Sequence, residues 1–246
     1  MVKTLEKTVE IIDGLDANGP CTPSALAART GLPRSTVYHH LSTLAENGFV
    51  VNTDGTYRLA LRFLSIGETV RRGMELFDIA RTEIDELASR IDLPVGLYVS
   101  EYDQAVLLYD RGENPSVPAT VHVGDHLPLH TTAAGKALLS IQAEREADGV
   151  GDEARRSYTD RTITDPSTLE SSLSGIADRG YATACGERWN GRCSLAVALA
   201  YGDESDAAAI EIELSPEQFD DLDHGELASE VQRTASVIEI KSDYSP

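Results

Sequence analysis

The 246 residues carry 21 basic against 41 acidic side chains, a formal charge of −20, while 41% of the chain stays hydrophobic. That length supports two modest domains with separate cores, and the steady supply of apolar residues excludes a disordered chain. No run of 18 apolar residues and no signal-peptide pattern is present, so the expectation is a cytoplasmic protein with no membrane partner.

The first apolar periodicity is Leu5, Val9, Ile12 and Leu15, which predicts an amphipathic helix closed by Asn18-Gly19-Pro20. Thr22-Pro23-Ser24 then reads as a hydroxyl-then-proline helix start, followed by an Ala/Leu-rich run to Thr30. Gly31-Leu32-Pro33 breaks it, because Pro33 disfavours helical geometry at Leu32 and suits the first turn of a new helix. In that next helix Val37, Leu41 and Leu44 fall at i, i+4 and i+7 and face inward. Arg34, Ser35, Tyr38, His39 and Ser42 are left on the opposite, donor-rich face. Gly48 ends the helix, and Asp54-Gly55 between two short β patterns predicts a hairpin. Helix, sharp turn, helix and wing over residues 1–60 describe a winged helix-turn-helix that reads DNA. Ser24, Arg34, Ser35, Thr36, Tyr38 and His39 are the expected contact residues, joined by Tyr57 and Arg58 on the wing. A connecting helix over 61–75 exposes Leu61 and Leu64, the pattern of a dimer seam.

From residue 76 the pattern changes. Phe77, Ala80, Ile84, Leu87 and Ile91 predict a helix, followed by strands at Val95–Glu101, Ala105–Tyr109 and Ala119–Val123. An Ala-rich helix over Thr131–Ile141, a mixed polar stretch over 142–165 and a helix over Pro166–Arg179 come next. Strands at Tyr181–Cys185, Ser194–Tyr201 and Ala207–Leu214 and a helix from Asp223 to Ile240 complete an α+β domain over 76–246, an antiparallel sheet flanked by helices.

The charge divides with the domains. Residues 1–70 hold six basic and seven acidic side chains, whereas the remaining 176 carry a net −19, and the chain contains only four lysines. Few lysines and dispersed carboxylates are the composition expected in the high-salt cytoplasm of a halophilic archaeon. A near-neutral head on an acidic body is where a phosphate-facing surface would be spared.

The chain resembles the IclR family of transcription regulators over nearly its full length. GLPRSTVYHHLSTLAENGFV at 31–50, Gly124 to Ala137, and Arg179-Gly180-Tyr181-Ala182 with Glu187 and Gly191 carry the resemblance. It implies a homodimer or dimer of dimers on a double-stranded DNA operator, with a GAF-like domain whose small-molecule metabolite effector biases that binding. It also implies that the Thr131–Lys136 loop and the Arg179–Leu199 region line the effector pocket, which nominates His130, Ala133, Ala134, Ala184, Glu187 and Ser194. Members that bind small carboxylates often carry paired acids after Arg-Gly-Tyr-Ala and then a cysteine on the next strand. Here Ala184 and Cys185 stand at the first place and Ser194 at the second. The later strand, where such members place serines, reads Ile210-Glu211-Ile212-Glu213-Leu214, and period 2 puts Glu211 and Glu213 on one face. That face either lines the cleft, where two carboxylates repel an anion, or meets salty water on an edge strand. Sugars, polyols and cations therefore stand beside acids as effector classes.

An enzyme or a metal-dependent sensor is the competing class, assembled from His130, Lys136, Cys185 and Cys193. Nothing in the sequence fixes their mutual position, and no nucleophile elbow, H-E-x-x-H or phosphate loop is present. No catalytic residue, metal ligand or cofactor is assigned. The three cysteines form neither an even-numbered framework nor a C-x-x-C pair, which favours a reducing compartment.

Overall fold

Two units divide the chain, Met1–Gly73 and Met74–Pro246; the computed structural model describes residues 2–114, 121–145, 156–202 and 206–244. The first unit contains α1 (Lys3–Asn18), α2 (Pro23–Thr30), α3 (Arg34–Glu46), strands β1 (Val50–Thr53) and β2 (Thr56–Leu59), and α4 (Arg62–Arg72). The Thr22 hydroxyl accepts the Ala25 N–H at 3.3 Å and caps α2. Gly31 closes α2 in the left-handed region, at φ 71°. Asp54 and Gly55 both take positive φ, as a two-residue hairpin turn requires, and the Asn52 side chain accepts the Gly55 N–H at 3.0 Å.

The core of this unit joins Ile11, Leu15, Leu26, Val37, Leu41, Leu44, Val50 and Tyr57. Two expectations are corrected by it. On α1 the packed pair is Ile11 and Leu15, while Leu5 and Val9 stay exposed at 64% and 55%. Alternative i, i+4 apolar pairs run along this helix, and contact with α2 and α3 selects the one that includes Ile11. Tyr57 does not face outward. Its backbone pairs with Cys21 through two hydrogen bonds of 3.0 and 2.9 Å, which turns the ring into the core. Strand alternation then sends its neighbour Arg58 to solvent.

The second unit is built on a six-stranded sheet, order β5-β4-β3-β8-β7-β6, antiparallel throughout. In chain order its elements are α5 (Glu75–Ile91), β3 (Val95–Glu101), β4 (Gln104–Arg111), β5 (His126–Pro128), a 3-10 turn (Leu129–Thr131), α6 (Ala133–Arg145) and α7 (Pro166–Arg179). Then come β6 (Ala182–Cys185), β7 (Cys193–Ala200), β8 (Ala207–Leu214), α8 (Pro216–Asp221) and α9 (His224–Asp243). The strand expected at Ala119–Val123 falls partly outside the described residues. Residues 121–123 are irregular, and the edge strand forms instead at His126–Pro128.

The two faces of the sheet differ in side-chain size. Val95, Leu97, Val99, Leu195, Val197, Ile210, Ile212 and Leu214 fill one face under α5 and α9. The opposite face offers Ala182, Ala184, Ala196, Ala207 and Ala209 to α6 and α7. Large residues pack one layer tightly, while short ones let α6 approach on the other and leave space beside it. The approach of α6 depends on Gly135: a Cβ there would lie 2.2 Å from the Leu129 carbonyl oxygen. Gly135→Ala is expected to destabilise the protein by about 1–3 kcal/mol through overpacking, read from chemical denaturation. An unchanged midpoint and slope would show that the α6 start is free to move.

Candidate functional site

In the first unit, α3 presents the candidate nucleic-acid interface. Arg34, Ser35, Tyr38 and His39 are exposed and Thr36 is half-buried, opposite the packed stripe of Val37, Leu41 and Leu44. Ser24 at the start of α2 and Arg58 on the wing are exposed as well. No side chain caps the N-terminus of α3 and no acid lies in its first turn, so its leading amides suit a phosphate oxygen. His40 turns away from this face, its Nδ1 2.9 Å from the Thr8 hydroxyl of α1. Arg62 lies over the Phe49 ring, 4.2 Å from its centroid, and donates to the Asn47 carbonyl, which fixes the wing to the start of α4.

In the second unit, a cavity of about 530 Å³ opens beside α6. Among its lining residues are Tyr98, Asp110, Thr132, Ala184, Glu187, Arg188, Trp189, Arg192, Ser194, Glu211 and Glu213. β8 is a central strand between β3 and β7, and the face that carries Glu211 and Glu213 looks into this cavity. The edge-strand reading of these two acids is therefore wrong.

Glu211 accepts the Ala134 N–H at 2.7 Å, at the first turn of α6. Burial raises its carboxyl above the usual range, while the Ala134 amide, the Ser194 hydroxyl and the Arg192 charge pull the other way. Glu213 pairs with Arg192, whose pKa burial lowers while the nearby Tyr98 and Glu211 oppose that shift. Below them Lys136 reaches from α6 to Glu187 at 2.6 Å, with the two side chains only 2% and 11% exposed. Desolvation lowers the Lys136 pKa and raises that of Glu187, and the mutual attraction of the pair opposes both shifts. The loop that supplies Glu187 is held by Thr159 and Thr162, whose hydroxyls donate to the Gly186 and Glu187 carbonyls at 2.6 and 2.7 Å. Arg188 stacks 3.7 Å from the centroid of Tyr158, and Arg192 lies 5.0 Å from that of Trp189.

Of the residues expected at this pocket, Ala184, Glu187, Ser194, Glu211 and Glu213 come together on the cavity wall. His130, Ala133 and Ala134 do not lend it their side chains. Ala133 and Ala134 are fully buried in the core beneath α6, and Ala134 acts through its amide alone. The His130 ring points to the Arg156 carbonyl, 3.1 Å from Nε2, where a ring N–H must donate. Sequence reading missed Tyr98; Arg188, Trp189 and Arg192 fall in the Arg179–Leu199 region expected to line the pocket but were not singled out. The last three had a local signal, two arginines on either side of the only tryptophan of the chain in a stretch that also holds Gly186 and Gly191.

Cys185 and Cys193 stand directly opposite each other on β6 and β7, with Cα atoms 4.0 Å apart, and are joined as a disulfide; Cys21 is free and buried. Eight residues of separation hide a pair that the hairpin register makes adjacent. Among the described residues no cluster of three or more His, Cys, Asp or Glu side chains is arranged to hold a metal ion.

A helix-turn-helix with a wing, followed by a separate unit that holds a cavity of ligand size, defines a DNA-binding transcription regulator. Residues 4–54 match the family described as the IclR helix-turn-helix domain, and residues 68–240 match Bacterial transcriptional regulator IclR C-terminal. The chain belongs to the IclR family of transcriptional regulators and is not an enzyme. It is 26% identical to the probable HTH-type transcriptional regulator ArcR of Halobacterium salinarum, over 98% of this chain and 94% of that one. The crystal structure of the Thermotoga maritima IclR superposes with a TM-score of 0.81 at 25% identity, covering 99% of this chain and all of that one. An IclR homologue from Microbacterium hydrocarbonoxydans, complexed with 4-hydroxybenzoate, gives 0.79 at 21% identity, covering 98% of this chain and 100% of that one.

The buried ion pair yields a test with a definite sign. Lys136→Met leaves Glu187 buried without its cation and is expected to cost about 3–5 kcal/mol near neutral pH. A carboxyl whose pKa is raised in the folded state stabilises that state when protonated and loses the contribution as pH rises through its folded value. The Lys136→Met penalty, from denaturant titrations, should therefore shrink between pH 7.5 and pH 5, and a penalty that grew on acidification would contradict the assignment.

Proposed function

We propose that this chain binds a near-palindromic operator as a homodimer or dimer of dimers, and that a small-molecule metabolite in the second unit modulates the affinity. The observation that carries the DNA reading is the exposed face of α3. Arg34, Ser35, Thr36, Tyr38 and His39 occupy a helix whose opposite face is wholly committed to packing. Arg34 has the donor geometry for a guanine edge or a phosphate, the serine and threonine hydroxyls suit either, and Ser24 and Arg58 flank them toward the backbone. Tyr57 is excluded from this set by its burial.

Self-association is supported by the apolar residues that the first unit leaves uncovered. Leu5 and Val9 on α1 and Leu61, Leu64 and Val70 around α4 are each more than half exposed, more than single scattered surface residues account for. A two-fold pair of reading heads would place α3 in successive major grooves and account for a symmetric operator. The effector reading is supported by the cavity and the charged side chains on its wall, and by the 4-hydroxybenzoate complex of the Microbacterium homologue. The acidic, lysine-poor composition supports a cytoplasm rich in potassium salts, and the Halobacterium relative is consistent with that setting.

Arg34→Ala should weaken binding to an operator selected from random double-stranded DNA by about 1–3 kcal/mol, with the circular dichroism spectrum unchanged. Tyr57→Phe should leave the affinity as it was. Fluorescence anisotropy in concentrated KCl reads both, and full affinity in Arg34→Ala would remove α3 from the interface.

A further inference from the structure

The start of α6 is the natural place for an anion, because leading helix amides are unpaired and carry partial positive charge. In this chain the place is taken. The Glu211 carboxylate accepts the Ala134 N–H at 2.7 Å and also meets the Ser194 hydroxyl, so a carboxylate ligand would have to displace the protein's own.

The remaining polar groups point to a different chemistry. Glu187 is buried; its Oε1 takes the Lys136 ammonium and the Cys185 backbone amide approaches the carboxyl, while Oε2 completes no well-formed hydrogen bond among the described residues. Two buried guanidinium nitrogens on the same wall, Arg188 Nε and Arg192 Nη1, also lack partners. Buried donors and acceptors left unpaired cost stability, and a resident ligand that pairs them removes that cost. An anion pairs the arginines and leaves Glu187 Oε2 unsatisfied, in a cavity that Glu211, Glu213 and Asp110 also line. A cation pairs the acid and is repelled by the guanidinium groups. A hydroxyl donates and accepts at once, so neighbouring hydroxyls on one carbon skeleton satisfy both sets without added charge. Trp189 adds an aromatic wall for the C–H face of such a skeleton, and the 530 Å³ volume lies in the range of small-molecule sites.

We propose that the cavity binds an uncharged polyhydroxylated molecule, a sugar or polyol, between Glu187 and the Arg188–Arg192 pair, with Glu211 filling the anion position at the start of α6. The proposal rests on the reading of this cavity as the effector site, and it assigns the chemical class that the site selects.

Trp189 is the only tryptophan in the chain, so its fluorescence reports on this cavity alone. The full-length protein is titrated with glycerol, xylitol, D-xylose and D-glucose, and separately with potassium acetate and pyruvate at constant ionic strength. At least one sugar or polyol should give a saturable change at millimolar or lower concentration, while acetate and pyruvate give none. Glu211→Ala, checked by circular dichroism, vacates the Ala134 amide and should gain pyruvate binding by about tenfold or more. Glu211→Gln keeps an acceptor there and should stay blind to pyruvate. Saturation of the wild type by acetate or pyruvate overturns the proposal, as does silence toward every sugar and polyol. Operator binding by the same ligand-free preparation tests the regulator reading separately, so either can fail without the other.

Discussion

One hydrogen bond ties together the layers that enclose the cavity: Glu211 on the central strand accepts the Ala134 amide at the start of α6. It can form because the helix start is brought close, with Gly135 against the Leu129 carbonyl and alanines on the sheet beneath. The same bond converts a helix N-terminus from a ligand site into an internal contact. Its energetic setting is a compromise, since burial disfavours the charge that the amide, Ser194 and Arg192 favour. Around it the wall is built in charge pairs, Lys136 with Glu187 and Arg192 with Glu213, each short of full satisfaction. A partly satisfied polar wall is costly in a resting fold and valuable in a binding site, because the binding partner completes it.

What the sequence made legible follows from local chemistry. Asp54-Gly55 fixed the wing because few residues tolerate the positive φ at both positions. Ala207–Leu214 was readable as a strand with Glu211 and Glu213 on one face, since alternation needs no knowledge of neighbours. What alternation cannot supply is which neighbour lies on each side. Placing β8 in the centre of the sheet requires the pairing with β3 and β7, and only that pairing sends the two acids into the cavity.

The other departures share this cause. Tyr57 and Arg58 looked equivalent on a short exposed strand until the bridge to Cys21 chose the inward one. On α1 the apolar residues exceed one stripe, so the packed face was a tertiary decision. Cys185 and Cys193 became neighbours through hairpin closure, and His130 was turned to the Arg156 carbonyl by the 3-10 turn that carries it. Arg188 and Arg192 lay in the region expected at the pocket but could not be singled out, because only the Thr159 and Thr162 hydroxyls, distant in sequence, fold that loop back over the cavity.

The first unit is nearly neutral while the second holds almost all the surplus acid, some of it on the cavity wall. In the concentrated salt proposed for this chain, charge is screened beyond a few ångströms, so the proposed coupling rests on differences in structure or rigidity and not on a long-range field. The central claim is that occupancy of the cavity sets the strength of DNA binding. It is tested by the operator dissociation constant, measured by fluorescence anisotropy at fixed KCl without ligand and with whichever compound saturates the Trp189 signal. The account predicts a change of about fivefold or more, with the reciprocal change in ligand affinity when operator is added first. An operator affinity indifferent to a saturated cavity would contradict it.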